Sequence, residues 1–160
     1  LSRLQARGVP IAELASGDEL RYNNTAVHVL WPERDTLRTA QNANCYPLVL
    51  SIDLQGFTLL NASDINGAYE RYAAVPADVL KVSHHGSFTS TGEAFLSTVD
   101  PACAIISAAS GSSTHPSPDT LERLRLRGIP ALSTADCGDI TVSVKNGVLS
   151  IIPYRERKEP

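Results

Sequence analysis

Between residues 79 and 133, short apolar runs alternate with segments that carry helix-start and helix-stop signals, and this alternation constrains the fold more than any other feature. Residues 79–82 (VLKV) and 103–107 (CAIIS) read as strands, the second one buried. Between them, Ser90, Thr91, Gly92 and Glu93 have capping-box spacing, which opens a helix through Val99 that Pro101 ends. Ser117 and Pro118 then supply an N-cap and a first-position proline for a helix through Arg127, with Gly128 as its stop. A further strand is expected at 131–133.

Hairpin patterns flank this alternating stretch. Residues 48–54 (LVLSIDL) and 57–60 (FTLL) pair across Gln55-Gly56, and residues 140–144 and 148–152 pair across Lys145, Asn146 and Gly147. Upstream, residues 1–7 suit a short helix stopped by Gly8, residues 9–14 a short strand, Gly17-Asp18 a turn, and residues 26–31 (AVHVLW) a strand closed by Pro32. Residues 33–46 are polar and aperiodic and read as a long loop; residues 67–74 are helix-compatible. The fold class is therefore α/β, more strictly α+β: a mixed sheet carrying helices, with some strands antiparallel. A chain of 160 residues that is 42% hydrophobic can build one core, so one domain is expected over residues 1–153 with a polar tail at 154–160.

Several functions are disfavoured at once. The net charge of -3, with 19% charged residues, provides no overall basic field to gather nucleic acid from a distance. The basic residues Arg123, Arg125 and Arg127, with Arg155, Arg157 and Lys158 at the tail, read as a solvated helix face and terminus. No run approaches the roughly 18 apolar residues of a membrane helix, and no signal peptide opens the chain. Cys45, Cys103 and Cys137 are far apart and form no CxxC, which argues against a zinc knuckle; Cys103 reads as core packing. The sequence has no Met and starts at Leu1, so it is expected to be a piece of a longer protein.

Chemistry is expected at strand ends. Asp64 and the pair His84-His85 each follow a strand, where a rigid edge and an open loop suit metal ligands: a carboxylate can bridge two ions and a neutral imidazole is a borderline-soft donor. A structural role for the same residues is the alternative. His28, alternating within AVHVLW, reads as a sheet residue.

The segment LLNASDINGAYERYAAVPADVLKVSHHGSFTS resembles the metallo-β-lactamase-type domain of ComEC DNA-uptake proteins, in which a strand ending LLTGD precedes an acidic helix, a DVLKV strand and HHGS. The likeness continues through FLSTVDPACAIIS, THPSPDTLERLRLRGIPALST and the closing CGDITV, and upstream through VHVLWP and the LVLSIDLQGFTLL hairpin. It implies a metallo-β-lactamase-type αββα sandwich of which this chain covers the C-terminal portion. It also implies that Asp64 is a metal-bridging carboxylate and that one of His84 and His85 is the last imidazole ligand. His84 is favoured, as the first residue past the strand on an extended chain whose neighbouring side chains point opposite ways; His85 then faces either the groups surrounding the ligands or the substrate. Ser87 is a candidate donor to a phosphate oxygen, or a turn residue, and His115 a candidate acid or phosphate contact, or an ordinary loop histidine.

The chain departs from that pattern in three places. The HxHxDH motif is absent, Ser63 replaces the glycine of LLTGD, and residues 42–47 (NANCYP) stand where such domains have an Asn- and Ser-containing turn. A fragment whose parent carries HxHxDH is favoured over a degenerate homologue, and in both cases this chain alone is expected to be inactive. In the intact parent the resemblance implies hydrolysis of DNA phosphodiesters with Zn²⁺ or Mn²⁺; this chain alone holds no metal in the alternative view. The implied partners are single-stranded DNA, the transmembrane channel region of the same parent, and a second copy through exposed apolar surface. The implied location is the extracytoplasmic side of a bacterial membrane. The rival functions are a catalytically dead DNA- or partner-binding module of the channel and a stand-alone hydrolase of small phosphoesters.

Overall fold

The computed structural model describes residues 2–37 and 46–154. Much of the expected 33–46 loop, including Cys45 and most of NANCYP, and residues 155–160 of the tail with Arg155, Arg157 and Lys158, lie outside the described residues. The fold is α+β. Seven strands form one mixed sheet in chain order: β1 (Glu19–Tyr22), β2 (Thr25–Trp31), β3 (Val49–Leu54), β4 (Phe57–Asn61), β5 (Val79–Lys81), β6 (Cys103–Ile106) and β7 (Ala131–Ser133). β8 (Ile140–Lys145) and β9 (Val148–Pro153) form a separate antiparallel hairpin. The strands β1 to β4 are antiparallel, whereas β4 to β7 are parallel.

The helices are short: α1 (Ser2–Gln5), α2 (Arg34–Leu37), α3 (Glu70–Ala73), α4 (Glu93–Val99), α5 (Pro118–Leu126) and α6 (Thr134–Cys137). Among the described residues no helix is long and apolar enough to cross a membrane. The core joins Leu60, Leu80, Val82, Ala104 and Ile106 of the sheet region with Phe95, Leu96 and Val99 of α4 and Leu124 of α5, all at most 3% exposed. Alternation along β5 sets Leu80 and Val82 in this cluster and turns Lys81 the other way.

Two local expectations differ from the structure. Residues 9–14 are not a strand: Pro10 offers no N–H to a ladder, Ile11 is exposed, and the chain turns where Asp18 Oδ2 accepts the Ala15 amide at 2.8 Å. The edge strand is instead β1, whose Glu-Leu-Arg-Tyr is exposed throughout. The capping box at α4 is not formed, because Gly92 is the N-cap and Ser90 Oγ donates to the Ser83 and Ser87 carbonyls. By contrast Ser117 caps α5 as its sequence requires, with Oγ accepting the Thr120 amide at 3.2 Å.

Candidate active site at the carboxyl ends of the parallel strands

Parallel strands all leave the sheet at the same edge, so the loops after β4, β5 and β6 converge there, the usual place for a site on such a sheet. Asp64 follows β4, His84 and His85 follow β5, and Ser107 and His115 follow β6. β4 and β5 are hydrogen-bonded neighbours, which sets the Asp64 loop beside the histidine turn.

The turn after β5, Ser83–Gly86, is kinked and departs from helical backbone. His84 (φ 48, ψ 46) and His85 (φ 57, ψ 20) are both left-handed, followed by Gly86 at φ 81. Each non-glycine residue in this region costs about 1–2 kcal/mol, so the conformation persists only where surrounding bonds hold it. They do so here. The His84 amide donates to the Ser63 carbonyl at 2.9 Å, the Ser87 amide to the His84 carbonyl at 2.9 Å, and the Ser117 amide to the Gly86 carbonyl at 2.8 Å. Ser83 Oγ donates to the Ile65 carbonyl at 2.5 Å. A Cβ on Gly86 would lie 2.7 Å from Pro116 Cβ, so this glycine is required both by its backbone and by its approach to the loop bearing His115.

This geometry corrects the premise of an extended chain at His84 and His85. Their rings do not alternate about a strand; they lie 6.3 Å apart at 65°, and each also meets His115, at 5.8 Å for His84 and 6.4 Å for His85. His85 faces the carboxylate: its Nε2 is 3.6 Å from Asp64 Oδ1. Its Nδ1 is 2.6 Å from the Ser107 carbonyl, which can only accept, so Nδ1 carries the proton. In the neutral ring Nε2 therefore presents its lone pair to an anionic oxygen. His84 is oriented inward, and its Nδ1 is buried with no hydrogen-bond partner among the described residues.

The Asp64 loop is shaped to match. Ser63 takes φ 50, a conformation a glycine would supply freely, and its amide donates to Asn61 Oδ1 at 3.0 Å. Lys81 Nζ donates to the Ser63 carbonyl at 2.9 Å and lies 3.8 Å from Asp64 Oδ1. Burial pushes this ammonium below the usual lysine range, against the pull of Asp64.

The chemistry of these donors suits a divalent ion. A carboxylate oxygen and an imidazole nitrogen 3.6 Å apart match two ligands sharing an ion at bonds of about 2.0–2.2 Å and a near-tetrahedral angle, and the Ser107 carbonyl fixes the imidazole as metal-binding histidines are commonly fixed. The pair fits. Among the described residues, however, no group of three or more His, Cys, Asp and Glu side chains is placed to hold one ion.

Ser87 and His115 lie near this pair, whereas His28 lies in the antiparallel half of the sheet. Ser87 is buried, with Oγ 3.0 Å from Thr89 Oγ1, and it organises its own loop. His115 Nδ1 is 2.8 Å from Thr114 Oγ1, and the residue lines a cleft of about 590 Å³ beside Leu121 and Ile129. His28 lies in β2, opposite Glu19, with its Nδ1 3.3 Å from that carboxylate. The loop after the histidine turn depends on two residues that sequence reading missed. Buried Glu70 accepts the Thr91 amide with Oε1 and the Gly92 amide with Oε2 at 3.0 Å, replacing the absent capping box. Arg123, read from sequence as part of a solvated face, instead donates to the Thr91 and Ser90 carbonyls at 3.0 Å each. Arg125 and Arg127 do lie on that face, paired with Glu122 and Glu93.

No family model matches the chain. It is 34% identical over 161 residues to the ComE operon protein 3 of Bacillus subtilis, an alignment covering 96% of this chain and 20% of that protein. It is 29% identical over 149 residues to the Recombination protein 2 of Haemophilus influenzae, covering 91% of this chain and 18% of that protein. The chain thus spans about one fifth of the length of these curated relatives.

Proposed function

We propose that the chain belongs to a metallo-β-lactamase-type domain of a DNA-uptake protein, in which Asp64 and His85 hold a divalent ion, Zn²⁺ or Mn²⁺, for hydrolysis of DNA phosphodiesters. The observation that carries this reading is the pair itself: a carboxylate oxygen and an imidazole nitrogen facing each other at 3.6 Å, with the ring oriented from behind by the Ser107 carbonyl. The geometry favours His85 over His84 as ligand, because the Ser107 carbonyl orients its ring. Such an ion, when bound, would supply an activated hydroxide and stabilise the charge that develops on a phosphoryl group.

The chain's own residues would do the rest. The Ser107 carbonyl keeps the His85 proton on Nδ1. Lys81, held by the Ser63 carbonyl, sets a positive charge beside the site that suits a phosphate. His115, stacked on His84 and hydrogen-bonded through Nδ1 to Thr114, is placed to hand a proton to a leaving oxygen. In this reading the partners are single-stranded DNA and the channel region of the same protein, on the extracytoplasmic side.

A second reading, a DNA-binding module without catalysis, is favoured by one observation. Lys81 Nζ lies 3.8 Å from Asp64 Oδ1, where it can neutralise the carboxylate without a metal. Metal analysis of the protein expressed from its complete reading frame separates the two: about two equivalents of ion support the hydrolase, none supports the module. In the same protein, Asp64→Ala and His85→Ala are expected to lower Mn²⁺- or Zn²⁺-dependent cleavage of single-stranded DNA by at least about 100-fold. Unchanged cleavage in both variants would sink the assignment.

A further inference from the structure

We infer that the cleft beside the histidine turn is a subsite for a base of single-stranded DNA, with Phe88 as its stacking platform; this rests on the DNA reading above. Phe88 is 68% exposed, although its loop is among the most firmly held parts of the molecule. Ser83, Gly86, Ser87, Ser90 and Thr91 around it are buried. Glu70 holds the Thr91 and Gly92 amides, Arg123 the Ser90 and Thr91 carbonyls, and Thr120 Oγ1 donates to the Ser87 carbonyl at 3.0 Å. A large apolar ring is therefore displayed to solvent on a fixed backbone, which lowers the entropic cost of a ligand's docking on it.

The ring stands at a cleft of about 450 Å³, within the size range of small-ligand sites. Phe95, Thr89 and Thr98 line it together with Arg71 and Arg123. The charges match a nucleotide. Glu70 spends its oxygens on backbone amides, and Glu93 pairs with Arg127 at 3.0 Å. The hydrogen bonds of the two arginines go to neutral groups: Arg71 bonds the Tyr72 hydroxyl and lies over its ring, and Arg123 bonds carbonyls and the Thr120 hydroxyl while its charge also acts on Glu70. An aromatic face beside arginines held by neutral groups suits a base with its phosphate, and stacking on such a face tolerates any base. Phe88 follows His85 by three residues, so its Cα lies within about 11 Å of that of His85. A strand with a phosphodiester at Asp64 and His85 can therefore reach the ring within a few nucleotides.

Binding of the whole chain to a fluorescent single-stranded oligonucleotide, and to the same strand carrying abasic sites, tests this. Phe88→Ala should weaken binding to the intact strand about 5- to 100-fold, and Phe88→Trp should retain it. The wild type should bind the abasic strand more weakly than the intact one, and Phe88→Ala should bind both alike. If Phe88→Ala binds the intact strand as the wild type does, or loses as much on the abasic strand, the stacking subsite is overturned while the DNA reading stands. If the wild type binds no single-stranded DNA, both fall.

Discussion

The two halves of the seven-stranded sheet use similar short strands and differ in how those strands are joined. β1 with β2 and β3 with β4 return through the two-residue turns Asn23-Asn24 and Gln55-Gly56, so little chain accumulates at those ends. β4 to β7 run parallel, and each crossover must leave from the same edge and come back along α3, α4 or α5. Asp64, His84, His85, Ser107 and His115 all lie in those departing segments. The antiparallel half has a histidine as well, His28, but it sits within a strand against Glu19 and meets no other imidazole among the described residues. Connectivity, more than composition, decides where this chain can gather chemical groups.

Substitutions in the two halves can break this contrast. Leu80, fully buried in β5, should lose about 2–5 kcal/mol on Leu80→Ala, whereas Leu20, 47% exposed in β1, should lose less than about 0.5 kcal/mol on Leu20→Ala. Urea unfolding measures both, and similar losses would mean that the edge hairpin contributes to the core as the parallel strands do. A finer comparison sets two left-handed glycines against each other. Gly56, at φ 92 with nothing within 4 Å of an added Cβ, should lose about 1–2 kcal/mol as alanine from backbone strain alone. Gly86, at φ 81 with Pro116 Cβ at 2.7 Å, adds a steric cost and should lose about 2–4 kcal/mol. Equal losses would show that the loop bearing His115 yields, and that the histidine turn is less firmly held than its bonds imply.

The sequence was most legible where a residue's signal is local. Gln55-Gly56 and Asn146-Gly147 take positive φ at both turn positions, as their hairpins require, and Ser117 with Pro118 begins α5. It was legible, too, that Asp64 and the His84-His85 pair would end neighbouring strands, since strand order follows chain order in this half. The orientation of the two histidine rings was not readable, because it depends on left-handed backbone at both and on the Ser107 carbonyl just after β6, twenty-two residues on from His85. Long-range bonds also explain why the cap of α4 was misread: a carboxylate on α3, distant in sequence, took the place of the local box. ELRY alternates polar and apolar residues, but over only four positions and on a strand exposed on both faces, so the signal is short and its register is set by its partner.

That carboxylate gives an effect that depends on pH. Burial lifts the Glu70 carboxyl above its ordinary value, and the Gly92 and Thr91 amides and the Arg123 charge pull the other way. The folded chain thus keeps this proton to higher pH than the unfolded chain does. The contribution of Glu70 to stability is therefore greatest below the ordinary value of 4.5 and declines as pH rises through the folded value, with a slope of at most about 1.4 kcal/mol per pH unit. Glu70→Gln removes the titration while keeping the side chain's size. The urea midpoint of the wild type relative to this variant should therefore fall as pH rises across that window and then level off. A wild type that gains on the variant with rising pH would mean that the two backbone amides outweigh burial, making the α3 carboxylate an anchor of the histidine loop in its charged form.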